Sequence, residues 1–91
     1  MKVYLFTFGL SFGSREEAKA ILNKCSSVKG WRTDMMRSFY LKSEESADTI
    51  AKEIREHKKT GRFIVVEITD NSQGWIQKDS WKFINDEKNK K

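Results

Sequence analysis

The residues whose types could do chemistry are few: one histidine, one cysteine and a scatter of carboxylates in 91 residues. His57 sits in Glu56-His57-Lys58-Lys59. It lies one step off the register of the helix's apolar stripe and reads as a solvated helix residue; general base work would need a positioned partner. Cys25 falls on an apolar stripe and reads as a buried structural thiol, not a nucleophile. One cysteine and one histidine exclude an intrachain disulfide and a dedicated zinc cage. Asp34 and Asp70 stand at the edges of elements, where turn chemistry accounts for them. Glu16-Glu17 and Glu44-Glu45 fall in first helical turns, where capping and the helix dipole account for them. Ser72-Gln73-Gly74 is not a nucleophile elbow, and no glycine loop has the form of a phosphate cradle. The expectation is no catalytic residue, no metal ligand set and no cofactor.

Charge offers a different kind of chemistry. Eighteen Lys and Arg against thirteen Asp and Glu leave a formal charge of +5, a mild bias toward anionic partners. Arg32 and Arg37 flank an extended segment beside Trp31 and Tyr40. Arginine next to aromatics can hold phosphate and stack bases, so these four are the candidate nucleic-acid-binding residues. Lys52, Arg55, Lys58, Lys59 and Arg62 form a second basic stretch. Glu53 and Glu56 interrupt it at helical spacing, and it reads as a solvated face with i,i+4 pairs.

The elements that must position these residues follow from periodicity. Val3 to Phe8 is a strand apolar on both faces, with Val3 and Leu5 on one and Tyr4, Phe6 and Phe8 on the other. Ser14-Arg-Glu-Glu17 is a capping box, and Ala18, Ile21, Leu22 and Cys25 make one helical stripe over about residues 15–26. Residues 31–42 are extended, as one bent strand or as a hairpin pivoting near Asp34–Arg37. Ser43 or Ser46 caps a second helix whose stripe is Ala47, Ile50, Ala51 and Ile54; Gly61 lies past its end. Arg62 to Thr69 is a strand with Ile64, Val66 and Ile68 on one face and Phe63 and Val65 on the other. GWIQKDSWKFIN, residues 74–85, holds two of the three tryptophans and reads as an element that packs back onto the domain.

Strand, helix, extended segment, helix, strand gives an α+β class: a ferredoxin-like split βαβ, an antiparallel sheet with two helices on one face and a short C-terminal Trp-rich element. Residues 1–85 form a single domain and 86–91 a polar flexible tail. The opposite sheet face is left bare. Tyr4, Phe6, Phe8, Phe63 and Val65 are expected to project from it, and water is a poor neighbour for such a patch. Its cover is Trp75, Trp81 and Phe83 of the same chain, a second copy, or the bases of a nucleic acid. Tyr4, Phe6, Phe8, Phe63, Trp75 and Trp81 are the candidate interface residues. The apolar N-terminal run is too short to span a bilayer and lacks a small-residue cleavage site, so no membrane partner and a cytoplasmic location are expected.

VYLFTFGL at the start, RSFYLKS leading into SADTIAKEI, GRFIVVEIT and then GWIQKDSWKFI follow a familiar order. Over roughly residues 2–85 the chain resembles the small ferredoxin-like proteins related to CRISPR-associated protein two and virulence-associated protein D, above all their stand-alone homologues. The resemblance implies a homodimer in which open sheet faces meet and C-terminal segments reach the partner. It also implies a metal-dependent nuclease, through an acidic residue at the end of the first strand. Here the matching stretch is Phe8-Gly9-Leu10, and Gly9 supplies neither ligand nor charge. The expectation is therefore a non-catalytic homodimer that binds nucleic acid or acts as an adaptor. The alternatives are a nuclease using other residues, or a small phage or mobile-element protein that inhibits or tethers a host protein.

Overall fold

The computed structural model describes residues 1–88. Its elements are β1 (Lys2–Phe8), α1 (Arg15–Lys24), β2 (Gly30–Met35), β3 (Ser38–Ser43), α2 (Ala47–His57), β4 (Phe63–Glu67) and α3 (Lys78–Lys88). The four strands form one antiparallel sheet in the order β2-β3-β1-β4. That is the ferredoxin-like arrangement, with a third helix added at the C-terminal end. The extended segment 31–42 is a hairpin, β2 and β3 joined through Met36-Arg37. Among the described residues no helix is long and apolar enough to cross a membrane. The helix α3 runs past the expected domain boundary at residue 85, and residues 89–91 of the expected tail lie outside the described residues.

Local chemistry sets the helix ends. Ser14 and Glu17 close the reciprocal capping box at the start of α1. The N-cap of α2 is Ser46, bonded to the Thr49 N–H; Ser43 is instead buried, its hydroxyl accepting from the Glu45 N–H. Gly61, at φ +97°, meets the backbone of Phe12 so closely that any Cβ would overlap it. Glycine is required there for both conformation and clearance.

The alternation along β1 and β4 is the one the periodicity predicts, but the faces are reversed. Tyr4, Phe6 and Phe8 point toward α1 and α2, and pack with Phe12, Leu22, Phe39, Ile50, Ile54 and Val65; Phe63 is partly buried against the same cluster. Stacked and edge-on ring contacts at 5.2–6.2 Å link Phe6, Phe8, Phe12, Phe39 and Phe63. The open face instead carries the smaller set, Val3, Leu5 and Thr7. The reason is volume. Two helices must stand about 10 Å off a sheet, and rings fill that space where β-branched side chains would leave voids. Tyr4, Phe6, Phe8 and Phe63 therefore cannot be the open-face interface residues that the periodicity suggested.

Candidate interaction surface

The surface left for function is the open face, and α3 divides it. The helix lies over β1, β2 and β3, burying Ile84 against Val3 and Tyr40, with Trp81, Phe83, Ile76, Leu5 and Ile68 around them. Among the described residues, α3 does not cover the open face of β4 as it covers the other three strands. There Ile64 and Val66 are 55% and 40% exposed.

A polar latch holds the start of α3. Asp34, on β2, accepts from the Tyr40 hydroxyl at 2.8 Å through Oδ1. Through Oδ2 it accepts from the Ser80 hydroxyl at 2.7 Å and the Gln77 N–H at 3.1 Å. Arg32 donates to Ser80 Oγ at 2.8 Å and to Gln77 Oε1 at 2.9 Å. The carboxylate thus sits at the positive end of the helix dipole and satisfies an orphan N–H. Burial pushes the Asp34 carboxyl up, but the bonds from Ser80, Tyr40 and Gln77, with the Arg32 charge, outweigh it and leave it below the ordinary carboxylate value. Burial, then the Asp34 bond and charge, push the Tyr40 phenol well up.

This geometry separates the expected nucleic-acid residues. Arg32 and Tyr40 are spent on the latch, and Tyr40 is buried, out of reach of a stacking base. Trp31 faces the other side of the sheet, edge-on to Phe39, with its indole N–H on Asn23. Arg37 lies in the hairpin turn and donates to the Gly13 carbonyl at 3.3 Å. Adjacent strand residues point to opposite faces, so Trp31 and Arg32 could not have shared one site. Asp34, read as a turn residue, is the centre of the latch. The second basic stretch is largely engaged: Lys52 pairs with Asp48, Lys58 with Glu17, and Arg55 bonds the Lys58 and Gly61 carbonyls while lying over the Phe63 ring.

The Trp-rich segment behaves unevenly. Trp81 is half-buried, whereas Trp75 is fully exposed at the lip of an apolar groove of about 310 Å³. Leu5, Met35, Ile68, Ile76 and Trp81 line that groove. It opens beside Val66, because Leu5 pairs with Val66 in the β1–β4 register. Groove, Trp75, Ile64 and Val66 make up the candidate surface. The exposed strand residues escaped the sequence reading because only the parity of β4, not its facing, was legible. The groove was foreshadowed by Trp81 and Ile84 at i and i+3.

A second cleft, between the α1–β2 loop and α2, is polar, and its key carboxylate is occupied. Glu53 accepts from the backbone N–H and the hydroxyl of both Ser26 and Ser27. Burial would raise it; the four bonds bring it down to about 2. Cys25 beside it is buried, and burial, then the Glu53 and Glu56 charges, push its thiol up to about 11. A thiol so protonated is a poor nucleophile. Gly9, at the end of β1, has open space where a Cβ would stand, and no group of three or more His, Cys, Asp or Glu among the described residues could hold a metal ion.

Fold and surface together define an α+β domain of ferredoxin-like arrangement with a helix strapped over half of its open face. No protein-family model matches the chain, no curated protein matches it, and no solved structure matches it.

Proposed function

We propose that this chain is a homodimeric adaptor, a domain that works by binding rather than by chemistry of its own. The observation that carries the reading is the exposure of Ile64 and Val66 on β4, beside Leu5 of the apolar groove, together with that of Trp75 at the groove's lip. Such patches mark interaction surfaces. Kinship with the proteins related to CRISPR-associated protein two belongs to this proposal and rests on the sequence resemblance; the strand order shows the ferredoxin-like fold alone, which hosts many functions. Gly9 supplies no carboxylate where the nucleases of that family carry one, which favours the non-catalytic version over cleavage at that position. A cytoplasmic location fits an unpaired, buried cysteine.

Sedimentation velocity tests the reading. A dimer in the micromolar range that Ile64→Glu with Val66→Glu converts to monomer supports it, and a wild type monomeric throughout that range overturns it. Net charge of +5 favours one second reading, nucleic-acid binding. Anisotropy titrations with labelled RNA and DNA at two salt concentrations decide it. Tight binding that weakens steeply with salt would put nucleic acid in place of a protein partner.

A further inference from the structure

The two edges of the sheet are built differently. Strand β2 is protected in the ways that natural edges are: it carries Arg32 and Asp34, its register shifts between Arg32 and Met35, and α3 crosses it. Strand β4 is less guarded: its single charge is Glu67 at its end, its register with β1 does not shift, and the helix that packs on it, α2, lies on the sheet face opposite α3. It reads Phe-Ile-Val-Val-Glu, with no Lys, no Pro and no bulge in its pairing with β1. Among the described residues no strand lies beyond it.

The side of β4 that faces away from the sheet can be read from its bonds. The Arg62 carbonyl accepts from the Gly9 N–H and the Ile68 N–H donates to the Val3 carbonyl, so the even-numbered residues turn their backbone groups to β1. Phe63, Val65 and Glu67 turn theirs outward.

We infer that β4 pairs with β4 of a second copy, antiparallel about a two-fold axis at Val65, so that two four-stranded sheets become one continuous sheet. This rests on the homodimer reading above and names its contact. The occupant is a second copy because the strand is complementary to itself in one register. A dyad at Val65 uses all three outward-facing residues: Val65 meets the partner's Val65, and Phe63 meets the partner's Glu67. Shifting the axis by one residue leaves one of them beyond the end of the pairing strand.

Charge selects the same register. Arg55 lies over the Phe63 ring, 4.8 Å from its centroid. Glu67 is exposed on the same face of the sheet as Phe63. Across the dyad the partner's Glu67 therefore stands beside Arg55, and symmetry makes the pair twice. On the open face, Ile64 meets the partner's Val66, which brings the exposed apolar residues together and sets the two grooves on one side of the continuous sheet. Face-to-face stacking of open faces is a poorer solution here, because α3 already covers β1, β2 and β3.

Cysteine cross-linking tests the register. Opposed residues of a non-hydrogen-bonded pair lie about 4.5 Å apart at Cα, within disulfide range. The double variant Ile64→Cys/Val66→Cys is expected to run as a covalent dimer after mild oxidation. The single variants are not, because like residues lie diagonally, roughly 7–8 Å apart. Both positions are exposed, so the fold tolerates the change. Glu67→Arg, which sets two cations together at each end, should raise the dimer dissociation constant about tenfold. Cross-linking of the single variants as efficient as that of the double, or an unchanged dissociation constant in Glu67→Arg, would overturn the edge register while leaving the homodimer standing. A wild-type monomer in sedimentation would overturn both.

Discussion

The helix-covered face and the open face of this sheet bury their residues by different means. Under α1 and α2 the material is aromatic: five phenylalanine rings in mutual contact, with Leu22, Ile50 and Ile54 closing the gaps. Under α3 it is a smaller cluster, Val3, Tyr40 and Ile84 with partly buried side chains such as Trp81 around them, and a polar latch. Apolar packing is non-directional and large. A latch is directional and modest, because its bonds replace bonds to water. One face is therefore built for stability. The other is built to position a helix while leaving half of its area open, which is where a binding surface can exist without costing the fold.

Single truncations should separate the two faces. Phe6→Ala removes a fully buried ring touching Phe8, Phe12, Phe39 and Phe63, and should cost about 4 kcal/mol in chemical denaturation. Ile84→Ala, the buried anchor of α3, should cost about 2–3 kcal/mol, because loosening of the strap absorbs part of the loss. Equal costs would break the comparison and make α3 a full member of the core. Asp34→Ala should fall near 2 kcal/mol, since it orphans the Ser80 hydroxyl, the Tyr40 hydroxyl and the Gln77 N–H around a former charge. Its signature would be a change in tryptophan emission, with Trp81 on the loosened helix.

Much of this architecture was legible in the sequence. The capping box at Ser14, the stripes Ala18-Ile21-Leu22 and Ile50-Ile54, and the parity of β1 and β4 follow from local periodicity, which depends only on backbone geometry. Facing was not legible. A strand apolar on both sides, such as Val3–Phe8, has no intrinsic inside, and the choice depends on which set fits the gap beneath distant helices. The candidate site failed for a related reason. Trp31, Arg32, Arg37 and Tyr40 are close in sequence, but strand alternation sends Trp31 to one face and Arg32 to the other. Asp34 looked like an ordinary turn residue because its partners, Gln77 and Ser80, are more than forty positions away.

Acid should sharpen the contrast from the helix side. Glu53 ties α2 to the α1–β2 loop, and its folded-state value near 2 lies below the ordinary 4.5. The sign follows: its contribution is full above about pH 4.5 and is lost as pH falls toward 2. Glu53→Gln should cost about 1–2 kcal/mol at neutral pH and flatten that part of the stability profile. Melts of wild type and variant from pH 7 to pH 2 check this; parallel curves would mean that the Ser26 and Ser27 bonds add nothing to stability.

The smallest expected effect on folding is the most informative about function. Trp75 makes no burying contact, being as exposed as a side chain can be, and it is the most exposed of the large apolar side chains among the described residues. Trp75→Ala should shift stability by no more than about 0.5 kcal/mol. A residue retained for packing would cost several times that. If the midpoint is unchanged while the dimer dissociation constant rises, or the affinity for a protein partner falls, about tenfold, Trp75 belongs to the binding surface, since exposed tryptophans are the usual anchors of interfaces. If the variant melts well below wild type, the 70s segment closes over the groove in solution, and the open half of this face is smaller than its exposed residues imply.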